Sequence, residues 1–179
     1  MKKTLPALAL SLALAFTMSA CSDNGTVEKG GAESSAAETS AAAESTAEAS
    51  NELQFGDKYT YENGVSLAIS KPEAFKPSET GLMLLSDPDG KDFVSFDVTI
   101  VNGSDEAYDP NLTNFTASSD GEEAEQIFDT DNKLNGSPST TVKPGKSVKF
   151  KIGFAVADKG DITMDASPGM EYSSKTFMN

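Results

Sequence analysis

Val94-Ser95-Phe96-Asp97-Val98-Thr99-Ile100 places an apolar residue at every second position, with Ser95, Asp97 and Thr99 between them. A period of two is the spacing of a strand with one face in a core and the other in water; a helix would repeat its apolar positions every three to four residues. Val148-Lys149-Phe150-Lys151-Ile152-Gly153-Phe154-Ala155-Val156 repeats the pattern. These are read as the two central strands, with Phe96, Ile100, Phe150 and Phe154 filling the middle of the core. If they are neighbours, Asp97 meets Lys149 or Lys151 on the solvent face.

Weaker strand signals surround them. Lys58 to Tyr61 and Val65 to Ile69 flank Asn63-Gly64, a strong tight-hairpin dipeptide. Leu112 to Ala117, Glu125 to Phe128, Thr140 to Val142, Ile162 to Met164 and Tyr172 to Phe177 follow, separated by Gly, Pro, Asn and Asp. No window holds an amphipathic helix of twelve or more residues. Short strands at regular spacing with turn residues between them predict an all-β fold, an antiparallel immunoglobulin-like β-sandwich. The Cys and Trp core of antibody domains is absent, which excludes that subtype.

Phe93 to Glu106, with Asn102-Gly103 closing its strand, then Val142-Lys143-Pro144-Gly145-Lys146-Ser147-Val148-Lys149-Phe150 and Gly153-Phe154-Ala155-Val156, resembles the uncharacterised immunoglobulin-like domain family of Gram-positive bacterial lipoproteins. That family shows an alternating strand ending in a Val-x-Asn turn, then a Pro-Gly turn that opens a second long strand. It is related in shape to a mycobacterial secreted immunoprotective antigen. The resemblance covers most of residues 55 to 179 and implies fold and surface location. It carries no catalytic residues to transfer.

Outward from the domain, the chain begins with Lys2-Lys3 and a twelve-residue apolar run, Leu5 to Phe16, too short to span a bilayer, which takes ~20 residues. Met18-Ser19-Ala20-Cys21 then resembles a lipobox, with Met at a position usually held by Leu. Residues 1–20 are read as a lipoprotein signal peptide and Cys21 as the lipidated first residue of the mature chain. Cleavage by an ordinary signal peptidase would instead leave a free thiol. Cys21 is the single cysteine, so no internal disulfide can form. Two acyl chains at ~0.8 kcal/mol per buried methylene would make the anchor effectively permanent. The expected location is the outer face of the bacterial cytoplasmic membrane.

Residues 21–52, Cys21 and the Ala/Ser/Glu-rich stretch behind it, are expected to form a disordered tether, because Val27 is their one β-branched aliphatic residue. Thirty-one residues of such chain would span about 30 Å, root mean square. Residues 53–179 are the sandwich domain, large enough for a core without a disulfide.

The charge of the whole chain is −14, from 14 basic and 28 acidic residues with no histidine. Every basic residue is lysine. Nucleic acid is thereby excluded as a partner, since phosphate backbones need clustered cations. The same sign opposes adhesion to anionic lipid, leaving the acyl chains of Cys21 as the membrane contact. Without histidine a serine nucleophile needs a lysine base, and the paired carboxylates fit a solvated acidic surface better than an acid/base dyad. The chain is read as no enzyme and as needing no cofactor. Gly145-Lys146-Ser147 ends like a phosphate-binding loop, but Thr140 stands where the first glycine belongs and a strand follows, so it is read as a β-turn.

Two stretches remain as candidates. Leu82-Met83-Leu84-Leu85 lies in the long connection from Lys71 to Asp92, and four exposed apolar side chains would forgo ~1.5–3 kcal/mol of burial each. It is either an extra edge strand or flap buried on the sandwich, or a patch that docks a protein or cell-wall component. Asp87, Asp89 and Asp92, with Asp129 and Asp131, offer hard oxygens at alternate positions, which suits calcium. No distal Glu completes an EF-hand loop, and Asp is also an ordinary turn residue.

Overall fold

The computed structural model describes residues 25–30 and 52–179. Met18, Ser19, Ala20 and Cys21 lie outside the described residues. The two alternating runs are the spine of the molecule. They form β6 (Asp92–Asn102) and β9 (Lys146–Val156), antiparallel over their whole length from Asp92 opposite Val156 to Asn102 opposite Lys146. Asp97 lies opposite Lys151, and their charged groups are 3.3 Å apart on the solvent face. Lys149 instead lies opposite Thr99.

The remaining strands are β1 (Thr26–Glu28), β2 (Glu52–Gln54), β3 (Lys58–Thr60), β4 (Val65–Ile69), β5 (Glu73–Ala74), β7 (Asn114–Ser119), β8 (Glu122–Ile127), β10 (Ile162–Ser167) and β11 (Lys175–Met178). The described fold is all-β apart from short helical turns. Hydrogen bonds link the strands in one path, β1-β3-β4-β6-β9-β8-β7-β10-β11-β2, with β5 on β6. The path is nearly closed into a barrel-like shape because β8 pairs with β9 on one side and β7 on the other. Its ends are drawn together by the three residues between β2 and β3. Phe55 donates its N–H to Met178 O (3.0 Å) and Gly56 donates its own to Ile69 O (2.7 Å). Gly56, at φ +104°, takes a backbone turn that side chains disfavour.

Inside, Phe96, Ile100, Ile152 and Phe154 are at most 1% exposed. The Phe55 ring from the closing turn meets Phe96 at 4.9 Å, and Phe96 meets Phe154 edge-on at 6.4 Å. Burial of each such side chain is worth ~1.5–3 kcal/mol. Phe150 departs from expectation. It is half-buried at the rim, edge-on to Phe115 at 6.0 Å, and Ile152 takes the deeper place.

Other expectations shift. Asn63-Gly64 closes a three-residue hairpin loop, not a two-residue one. Tyr61 N–H bonds Val65 O and Gly64 N–H bonds Tyr61 O, with Gly64 at φ +90°. Thr140 to Val142 yields only a bridge from Val142 to Tyr108, and β7 starts two residues late because Pro110–Leu112 winds into a 3-10 turn. The pairing is not purely antiparallel, since β2 runs parallel to β11. Thr26–Glu28, inside the stretch expected to be a disordered tether, is a strand on the β3 edge. A three-residue strand is too short to show periodicity.

Pro144-Gly145 forms the expected turn: Lys146 N–H bonds Lys143 O (3.0 Å), Gly145 has φ +70°, and β9 begins at once with no helix to cradle phosphate. Asn102 ties that turn to the end of β6. Fully buried, it gives Nδ2 to Glu106 O (2.7 Å) and Val142 O (2.8 Å), while Oδ1 accepts from Ser104 N–H and hydroxyl. Gly145 N–H closes on Asn102 O at 2.7 Å.

Candidate functional site

Leu82 to Leu85 forms neither an edge strand nor a wholly buried flap. The segment belongs to a five-residue helix, α1 (Glu79–Met83), and the turn after it. Ser78 caps the helix, its hydroxyl accepting Gly81 N–H at 3.1 Å, as serine does at helix starts. Leu85 turns inward against Ile127, Leu134 and Ala155 in a small second core with Phe75 and Phe93. Leu82 is half-buried. Met83 and Leu84 are 83% and 62% exposed.

What keeps two apolar side chains in water is a carboxylate at each end of the segment. Asp129 is 1% exposed and accepts Ser78 N–H, Ser78 hydroxyl and Asn132 Nδ2, each at 2.8 Å. Asn132 Nδ2 also reaches Lys76 O (3.1 Å). Burial alone would raise the Asp129 pKa, but the hydrogen bonds from Ser78 and Asn132 outweigh it and hold the carboxyl at about 2, below the usual 3.8. At the far end, Glu125 in β8 accepts Ser86 N–H (2.9 Å) and the Ser86 hydroxyl (3.2 Å). Gly81 is needed here, since a Cβ at that position would lie 2.8 Å from Asp129 Oδ2.

The aspartates offered for calcium are not brought together. The Asp129 oxygens are engaged by Ser78 and Asn132, Asp87, Asp89 and Asp131 are exposed, and Asp92 faces Lys159 at 3.7 Å. Among the described residues, no three His, Cys, Asp or Glu side chains converge on a metal position. Likewise no described helix is long and apolar enough to cross a membrane.

An open groove of about 590 Å³ on the outer face of β9 was not foreseen. Lys133, Lys149 and Lys151 line it with Asn135, Ser137, Ser139 and the edge of Phe150. Lys151 there faces Asp97 (3.3 Å) and Glu73 (3.7 Å). The signal was the Lys-x-Lys alternation in β9, read only as the wet side of a strand. The groove forms because the loop from Lys133 to Ser139 folds over it.

These features define a small all-β domain with a clamped apolar protrusion and a lysine-lined groove. The chain belongs to the family described as domain of unknown function DUF4352, whose model matches residues 65–177. The resemblance carried by Phe93 to Glu106 and Val142 to Val156 is to that family. β1, β2 and β3 precede the matched span.

Solved structures similar to the chain include YjhA of Bacillus subtilis, at 12% identity and TM-score 0.51 over 70% of this chain and 98% of that one. Others are YcdA of the same organism, a candidate lipoprotein (19%, TM-score 0.49, 64% of this chain and 36% of that one), and the secreted protein MPT63 of Mycobacterium tuberculosis (15%, TM-score 0.47, 71% and 94%). The match thus spans about a third of YcdA. No curated protein matches the chain.

Proposed function

We propose that this is a lipid-anchored, non-enzymatic surface domain of immunoglobulin-like shape, held by Cys21 on the outer face of the bacterial cytoplasmic membrane, which presents α1 to a protein or cell-wall component. The observation that carries the docking role is the pair Met83 and Leu84, exposed although Asp129 and Glu125 fix the segment beneath them. A merely loose loop would not need a buried carboxylate and a glycine to hold it. Met18-Ser19-Ala20-Cys21 supports the anchor and that location.

The test has two parts. Mass spectrometry of the membrane-extracted protein should find a diacylglyceryl group on Cys21, and a bare thiol overturns the anchor. Leu84→Asp and Met83→Asp should abolish recovery of the partner in a pull-down while melting is unchanged; undiminished recovery overturns the docking role.

A ligand carrier is the second reading, favoured by the lysine-lined groove. Lys133 and Lys149, beside a Lys151 whose charge Asp97 and Glu73 balance, suit an anion better than calcium. Melting in inorganic phosphate and in calcium separates the two, since a ligand at 100 times its Kd adds ~2.7 kcal/mol. Unchanged melting in both removes this reading.

A further inference from the structure

The strand Thr26–Glu28 begins five residues after Cys21 and pairs with β3 from Thr26 opposite Thr60 to Glu28 opposite Lys58. Charges fasten both its faces. Glu28 meets Lys58 at 2.9 Å, Lys29 meets the buried Asp57 carboxylate at 2.7 Å, and Gly30 N–H donates to the same carboxylate at 3.0 Å. Asp57 also accepts Gln54 N–H (2.9 Å). Burial would raise the Asp57 pKa, but the bonds from Lys29, Gln54 and Gly30 lower it overall. Val27 packs on the core, and Gly25 lies so close over the Tyr59 hydroxyl that a Cβ would overlap it. This is a fitted seat. Residues 31–51 separate it from β2.

We propose that Thr26–Gly30 is a releasable clasp on the β3 edge that sets how far the domain stands from the membrane, a role that rests on the anchoring of Cys21. With the clasp seated, the load path from the lipid to the sheet is the five residues from Cys21 to Thr26, at most about 17 Å. Residues 31–51 are then bypassed and add nothing to the reach. With the clasp undone, the whole stretch from Cys21 to β2 enters the path, with about 100 Å of contour.

The seat is built to open. Three residues on a sheet edge lie at the low end of local stability. The Glu28–Lys58 pair is solvent-exposed on the acid's side and is worth little; Lys29 is exposed too, so the hold comes from the buried Asp57 carboxylate that accepts from Lys29 and Gly30. An extended segment that pairs with β3 would displace the clasp and lengthen the reach, so the edge and the stand-off are coupled.

The full-length lipidated protein in phosphatidylglycerol/phosphatidylethanolamine vesicles tests this. A dye on Lys143→Cys reports height by energy transfer to an acceptor lipid. The seated clasp predicts that doubling residues 31–51 leaves the height unchanged. Val27→Pro should raise it by about 10 Å or more and make it respond to the doubling. A rise on doubling in the unsubstituted protein, or no rise in Val27→Pro, overturns the clasp. Protein that fails to associate with vesicles overturns the anchor and the reach together. In that case amide exchange at Gly30 still reads the seat: about tenfold protection, lost in Val27→Pro, shows it is real, and no protection shows it is not.

Discussion

Ser78 gives both its backbone N–H and its hydroxyl to the carboxylate of Asp129, 51 residues further along, each bond 2.8 Å long. One buried acid thereby fixes where α1 starts. Because it is ionised when folded, the attachment depends on pH.

Asp129 has a folded pKa of about 2 against an ordinary 3.8. Its contribution is therefore complete above pH ~4 and is lost as pH falls towards 2, and the shift corresponds to about 2 kcal/mol. Asp129→Asn should lower stability by about that much at pH 7 and flatten the acid limb of the melting profile. Urea titrations at pH 7 and pH 2.5 check both.

Gly81→Ala should release the same segment by a different route, since the added methyl presses on the Asp129 carboxylate. A loss of about 1–3 kcal/mol is expected, with proteolytic nicking concentrated between Ser78 and Ser86.

Met83→Asp and Leu84→Asp should change stability by less than about 0.5 kcal/mol, because both side chains are already in water. Phe96→Ala, at 0% exposure, should cost about 3–5 kcal/mol. Chemical denaturation of the three variants separates protrusion from core.

Tyr108 donates its hydroxyl to Pro168 O (2.8 Å) and lies 2.7 Å from the Thr113 hydroxyl, and burial raises its pKa to about 12. Tyr108→Phe leaves the Pro168 carbonyl without this donor and should cost about 1–2 kcal/mol. Ultraviolet titration of the native protein should show a tyrosine transition well above the usual range that is lost in Tyr108→Phe.

The long strands were legible because eleven-residue pairing leaves a repeating imprint, and Asp97 with Lys151 could be anticipated from the same alternation. The clamps were not. Asp129 reaches Ser78 over 51 residues and Glu125 reaches Ser86 over 39, and in so acidic a chain neither acid stands out. Asp129 drew notice as a calcium ligand, but the same oxygens serve the helix cap. Phe150 was placed too deep because alternation gives a side chain's face and not its distance from the rim. β1 escaped because Thr-Val-Glu holds one aliphatic residue among polar ones.

The parallel pairing of β2 with β11 sets how the domain bears tension. A pull that enters at Glu52 and leaves at Asn179 draws the two strands past each other lengthwise, so the bonds along that seam, with Phe55 N–H on Met178 O at its end, must fail together and not one by one. An antiparallel seam there would have opened like a zip. That geometry makes the β2–β11 seam the part of the described fold that resists rupture when force is applied across Glu52 and Asn179.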